Sequence, residues 1–261
     1  VIMPFLYESR QHKRSARESL DCALALKELS DMGVSNIITF DAHDPRVQNA
    51  IPLSGFETVR PTYQFVKGLL DRYDDLIIDS DHMMAISPDE GATERAVYLA
   101  NVLNLDMGMF YKRRDYTRVV NGRNPIVAHE FLGSSVEGKD VIILDDMISS
   151  GDSILDVAKQ LKSRNAKRIF AAATFGLFTN GLDKFDEAYE SGLIDGVLTT
   201  NLIYQTPELL SRPYYINCDM SKYVALMIDT LNHDGSISDI LDPSERIQVC
   251  VEEYKKAHGQ L

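Results

Sequence analysis

The sequence predicts an α/β protein built on parallel sheets with helices on both faces. Short apolar runs of strand length recur along the 261 residues, and amphipathic stretches with helical spacing lie between most of them. The runs are continuously apolar, as strands buried on both faces are. Ligands of such sheets bind beyond the carboxyl ends of the strands, so polar clusters there are where a site is expected.

Taken in order, the opening V-I-M-P-F-L-Y reads as a strand already inside a domain, which suggests numbering that begins within a longer protein. Leu20, Ala23, Leu24 and Leu29 recur at helical intervals before a strand at 34–40. S-G-F-E-T-V-R-P (54–61) reads as a boundary between two βα blocks. Strands are then expected at 75–80, 83–87, 107–112, 141–144, 168–174, 196–200 and 213–217. Ile154, Val157, Ala158 and Leu161 fall on one face of a helix. From about residue 234 a tail with Gly, Ser and Pro leads into one short charged helix.

Composition narrows the function classes. With 44% hydrophobic and 25% charged residues the chain can bury a substantial core. Its net charge of −12 excludes a nucleic-acid footprint, which needs a basic face. An anionic ligand must therefore be held by local cations and backbone N–H groups. No apolar run approaches the roughly 20 residues of a membrane helix, and no signal peptide is visible. Cys22, Cys218 and Cys250 are far apart and lack metal-ligand spacing, which points to a reduced, cytoplasmic protein.

The densest chemistry is in V-I-I-L-D-D-M-I-S-S-G-D-S-I (141–154), where Asp145 and Asp146 close an apolar run just before a small-residue turn and a helix. Gly151 allows close backbone approach, Ser149, Ser150 and Ser153 offer hydroxyls, and the helix start presents unpaired N–H donors to a phosphate. The two acids suit sugar hydroxyls, or a metal bridging to a diphosphate. A plain βα turn capped by Ser or Asp fits the same letters.

Four upstream stretches add candidates. E-S-R-Q-H-K-R (8–14) supplies Arg10, Gln11, Lys13 and Arg14, with Arg17 just beyond, a cationic cluster in an acidic chain or merely a solvated basic loop. I-T-F-D-A-H-D (38–44) offers Asp41 and His43, which share a side if the strand continues through them. I-S-P-D-E-G-A-T-E-R-A (86–96) offers Asp89, with Arg95 either in the site or in a surface salt bridge. F-Y-K-R-R-D (110–115) offers Lys112 and Arg114, by composition a solvated turn.

The loop at 141–154 resembles the phosphoribosyl-diphosphate loop of type I phosphoribosyltransferase-fold proteins, specifically the ribose-phosphate diphosphokinases (PRPP synthetases). The four upstream stretches resemble that family's motifs in the same order, and T-T-N-L-I-Y (199–204) resembles its late Thr-Asn segment. The resemblance implies two phosphoribosyltransferase-like domains with parallel sheets flanked by helices, the N-terminal one truncated: residues 1–60, then 61–233, then an extension over 234–261. It also implies about 90 further residues upstream and a homo-oligomer assembled from dimers, up to a hexamer.

The implied reaction moves the diphosphoryl group of ATP to the C1 hydroxyl of ribose 5-phosphate, giving 5-phosphoribosyl 1-diphosphate and AMP for nucleotide biosynthesis. Arg10, Gln11 and His43 would contact ATP, and Asp41, His43 and Asp89 would form the Mg2+ site, His43 through a metal-bound water. Ribose 5-phosphate would lie on Asp145, Asp146, Ser149, Ser150, Gly151, Asp152 and Ser153, with Lys112 and Arg114 stabilising the transition state. The chain departs from the family at His12 and Ser149, where it has Asp, and at Ala92 and Asp152, where it has Gly. Asp152 is expected to cap the helix and turn from the phosphate. A catalytically weak regulatory relative, or a phosphoribosyltransferase, are the alternatives.

Overall fold

The computed structural model describes residues 1–14, 17–114 and 126–260. It contains two sheets. The smaller holds β1 (Ile2–Met3), β2 (Asn36–Phe40) and β3 (Gly55–Val59), all parallel, with α1 (Asp21–Asp31) between the first two strands. The larger comprises β4 (Met83–Ser87), β5 (Asp106–Arg114), β6 (Ile126–Leu132), β7 (Asp140–Ile148), β8 (Arg168–Gly176), β9 (Gly196–Thr200) and β10 (Tyr215–Cys218). Its spatial order is β10-β9-β8-β7-β4-β5-β6, parallel except for β6. Helices α2 (Thr62–Arg72), α3 (Thr93–Leu103), α4 (Asp152–Lys162), α5 (Asp183–Glu190), α6 (Pro207–Leu210), α7 (Ser221–Asn232), α8 (Ser238–Leu241) and α9 (Ser244–Ala257), with a 3-10 helix at Pro45–Ala50, complete the described elements.

The apolar runs are continuous because both faces of the large sheet are covered. Along β7, Ile142 and Leu144 enter a core shared with α2, α3 and α9, while Val141 and Ile143 enter a second core with α4 and α5. A third core joins the sheets: Ile38, Phe40 and Val59 meet Met147, Phe175 and Met227. Among the described residues no helix is long and apolar enough to cross a membrane.

Residues 54–61, read as lying between two βα blocks, contain β3, which completes the small sheet, and α2 starts directly after. The sequence reading needs three corrections. β7 runs on to Ile148, so Asp145 and Asp146 lie within the strand and not past its end. The opening segment yields only a two-residue strand. Residues 75–80 form no strand, because the backbone there bonds to the end of the chain. The Leu76 N–H donates to the Tyr254 hydroxyl at 3.0 Å, that hydroxyl donates to the Tyr73 carbonyl at 2.8 Å, and Gln260 donates to the Leu76 carbonyl at 2.7 Å. The sequence reading also missed β6, an antiparallel strand whose mixed letters (I-V-A-H-E-F-L) lack the continuous apolar signal.

Tyr254 thus ties α9 to the body by two hydrogen bonds at a buried position. Tyr254→Phe keeps the ring but leaves the Leu76 N–H without its acceptor, which is expected to destabilise the protein by about 1–3 kcal/mol. Urea unfolding of the two proteins measures it, and an unchanged midpoint would show that the clamp is dispensable.

Candidate functional site

The chain passes from β4 to β5 on one side and later returns to place β7 on the other side of β4, so the strand order reverses between β4 and β7. A crevice opens at the carboxyl ends of strands that part in this way. Here it holds a cavity of about 540 Å³ lined by Arg10, His43, Asp89, Arg95, Asp145, Asp146 and the turn residues 149–151, 153 and 154, among others.

The turn after β7 has the backbone geometry to receive an anion. Gly151 sits at φ +82°, and a Cβ there would lie 2.4 Å from the Phe185 ring, so only glycine fits. No side chain caps α4, and its first-turn N–H groups have no intrahelical partner. Ser149, Ser150, Gly151 and Ser153 line the cavity beside them. Asp152 does not. Its carboxylate accepts from Lys184 Nζ at 2.5 Å and from Ser150 Oγ at 3.0 Å, and it lines a separate groove with Lys159 and Lys184. Hydrogen bonds from Lys184, then Ser150, hold its pKa below the usual value. Asp152 therefore turns from the cavity as expected, but through an ion pair and not as a helix cap.

The adjacent acids behave differently. Burial, then the charge of Asp146, pushes the Asp145 carboxyl well above the usual carboxylate range. Burial also works against the Asp146 charge, but a hydrogen bond with His43 and the charge of Arg95 outweigh it and hold Asp146 low. Two neighbouring carboxyls with separated pKa values can divide the roles of proton holder and anion. The Asp146 N–H also donates to Asp145 Oδ1 at 2.8 Å.

His43 comes from the small sheet. Its Nδ1 lies 2.9 Å from Asp146 Oδ2, so with Asp146 ionised the Nδ1–H donates. β2 stops at Phe40, and Asp41 takes φ +41°, so Asp41 and His43 do not share a strand face. Asp41 is buried and uses both carboxylate oxygens: Oδ1 accepts from Arg95 Nε at 2.7 Å and Oδ2 from Thr174 Oγ1 at 2.5 Å. Burial raises its pKa, with Arg95 and then Thr174 opposing.

A second cavity of about 650 Å³ lies alongside, lined by His12, Lys13, Asp44, Arg46 and Arg60, and it shares His43, Glu90, Gly91 and Arg95 with the first. His12 Nε2 lies 3.2 Å from Asp44 Oδ2. Arg10 lines the first cavity, whereas the buried Gln11 Oε1 has no hydrogen-bond partner among the described residues. Asp89 lines the first cavity, its Oδ1 accepting from the Gly91 and Ala92 N–H groups. Lys112 and Arg114 lie on β5, opposite β6, and their side chains fall outside the described residues.

Asp41, His43 and Asp89 are not gathered as a metal cluster: among the described residues no group of three His, Cys, Asp or Glu side chains is placed to hold a metal. The sequence reading missed Thr174 and left Arg95 undecided. A polar residue ending the apolar run at 168–173 was the available signal for Thr174.

A family model described as the phosphoribosyl transferase domain matches residues 59–201. The ribose-phosphate pyrophosphokinase of Shewanella oneidensis is 30% identical over 242 residues, covering 91% of this chain and 71% of that protein. That of Vibrio parahaemolyticus is 28% identical with the same coverage, and that of Mycoplasma genitalium is 30% identical over 78% of this chain and 58% of its own length. The crystal structure of phosphoribosylpyrophosphate synthetase from Mycobacterium smegmatis superimposes with a TM-score of 0.74 at 24% identity, over 90% of this chain and 71% of that one.

The geometry of the 149–153 turn separates two neighbouring residues. Gly151→Ala, strained in its backbone by about 1–2 kcal/mol and driven against Phe185, is expected to weaken phosphate binding at least tenfold. Asp152→Ala should leave it within about threefold, since that carboxylate faces another groove. Calorimetric titration with inorganic phosphate compares them, and a large gain in affinity on removing Asp152 would show that its charge reaches the cavity.

Proposed function

The chain belongs to the ribose-phosphate pyrophosphokinase family, and on that premise we propose that it transfers the diphosphoryl group of ATP to the C1 hydroxyl of ribose 5-phosphate. The products are 5-phosphoribosyl 1-diphosphate and AMP. The observation that carries the reading is that one cavity combines a phosphate cradle and an acid pair from the large sheet with Arg10 and with His43 from the small sheet.

In this reading the 5-phosphate rests on the N–H groups and hydroxyls of 149–153, favoured by the dipole of α4. The ribose hydroxyls meet Asp145 and Asp146. Burial and its neighbour's charge push the Asp145 carboxyl up, which favours a form that can donate as well as accept there. Arg10 supplies positive charge for the ATP phosphates, and His43 is held by Asp146 at the wall between the two cavities. Such transfers depend on positioning and charge neutralisation more than on covalent catalysis. Lys112 and Arg114 act on the transferring group in the transition state.

Mg2+ suits the cavity. It binds through one or two carboxylates and the substrate phosphates and keeps several waters, so it does not need a three-ligand cluster. Asp89 lines the cavity and would hold it together with the substrate phosphates, with His43 nearby, whereas Asp41 has both oxygens engaged. When bound it neutralises charge on the diphosphoryl group. Asp152, a departure that favoured a regulatory relative, faces away from this cavity, which supports the catalytic reading.

The test is AMP release from ATP by the purified protein, strictly dependent on ribose 5-phosphate. Consumption of phosphoribosyl diphosphate with a base, and no AMP, would instead identify a phosphoribosyltransferase. Lys112→Ala is expected to lower kcat by roughly 10²–10³-fold with a small change in KM for ATP. A raised KM at unchanged kcat would remove Lys112 from the transition state.

A further inference from the structure

We propose that Arg95 is the positioning residue for His43: it grips the 41–42 backbone turn from the side of α3 and so sets the imidazole against Asp146. The inference rests on the proposed reading of the cavity, because it assigns a role within that chemistry.

The geometry is specific. Arg95 lies in the first turn of α3, and its side chain is only 12% exposed. Nε donates to Asp41 Oδ1 at 2.7 Å and Nη2 donates to the Ala42 carbonyl at 3.1 Å, so one guanidinium fork holds two successive residues. On the opposite side β3 holds the donors of the same turn: the Asp41 N–H bonds to the Val59 carbonyl and the Ala42 N–H to Thr58 Oγ1. The turn needs such fixing, since β2 has ended and Asp41 occupies left-handed backbone space that few side chains adopt. His43 follows at once, and its hydrogen bond with Asp146 joins the small sheet to the large one.

Arg95 also lines both cavities, at the wall they share with His43. Its Nε and Nη2 donors are directed to Asp41 and Ala42, and on these two bonds we assign it to holding the turn. A lysine in its place retains the charge, but a single ammonium on a flexible stem lacks the planar fork that serves both acceptors. The turn then loosens, and His43 shifts relative to the reacting groups. Misplacement of about 1 Å is enough to slow a positioned reaction by up to about 10²-fold.

The experiment compares the wild-type protein with Arg95→Lys in two ways. Steady-state kinetics of AMP release should show kcat reduced about 10- to 100-fold, with KM for ATP and for ribose 5-phosphate within about threefold. Proton NMR should show a slowly exchanging imidazole N–H in the wild type, assigned by its absence in His43→Phe, that is lost in Arg95→Lys. A retained kcat together with a retained resonance would overturn the proposal, as would a raised KM at unchanged kcat, which would make Arg95 a substrate ligand. If Arg95→Lys fails to unfold cooperatively, the near-isosteric Asp41→Asn removes the ion pair from the other end, and the same two readouts decide. A wild type that releases no AMP would refute the proposed reaction, while the resonance would still report whether Arg95 holds His43.

Discussion

A carboxylate removed from water is costly unless cations and hydrogen-bond donors replace its hydration. Asp41 is buried at the junction of the two sheets, and it receives a guanidinium from α3 and a hydroxyl from β8. The small sheet is thereby fixed to the large one at a buried polar point beside an apolar seam formed by Ile38, Phe40, Met147 and Phe175. Apolar contact holds the sheets together but tolerates sliding. The directional bonds at Asp41 define their relative position, and the meeting of His43 with Asp146 follows from it.

The electrostatics of the cavity follow from this arrangement. The chain carries a net charge of −12, so an anion must be drawn in by local groups. Backbone N–H groups at the start of α4 and the guanidinium of Arg10 do so without adding acids to the cradle, because the acid that the turn contains is directed toward Lys184. A hydrogen bond with His43 and the charge of Arg95 hold the Asp146 carboxyl low, while burial and the charge of Asp146 push the Asp145 carboxyl up. One residue's surroundings thus shift the titration of the next.

Much of this was legible in the letters. The parallel sheet was readable because burial on both faces leaves no polar alternation, as in V-I-I-L and I-F-A-A-A. The glycine turn before α4 was readable because a glycine, small hydroxyl residues and a helix start are adjacent in sequence. What the letters concealed depends on distant partners. Leu76 and Ile78 look like strand residues, but their segment is bonded to Tyr254 and Gln260. Asp-x-His suggested two side chains on one face, yet the strand ends just before them. Arg95 could be read as a site residue or as a surface salt bridge until the fold placed Asp41, 54 positions earlier, against it. Lone polar residues announce neither their depth nor their partners.

The bond between Leu76 and Tyr254 spans 178 residues, and that between Leu76 and Gln260 spans 184. Closing so long a loop forfeits chain entropy before any contact is gained, and nonlocal pairings of this kind slow folding. On a ribosome, where the chain emerges from its N-terminus at roughly 5–20 residues per second, the 73–78 segment is made long before its partners. Until the last helix emerges, one flank of the core around Phe65, Leu69 and Ile78 has no cover from Ile247 and Val251. The nascent protein therefore carries an adhesive apolar surface until α9 is made, and that helix acts as the latch that ends its exposure to chaperones and to other unfinished chains.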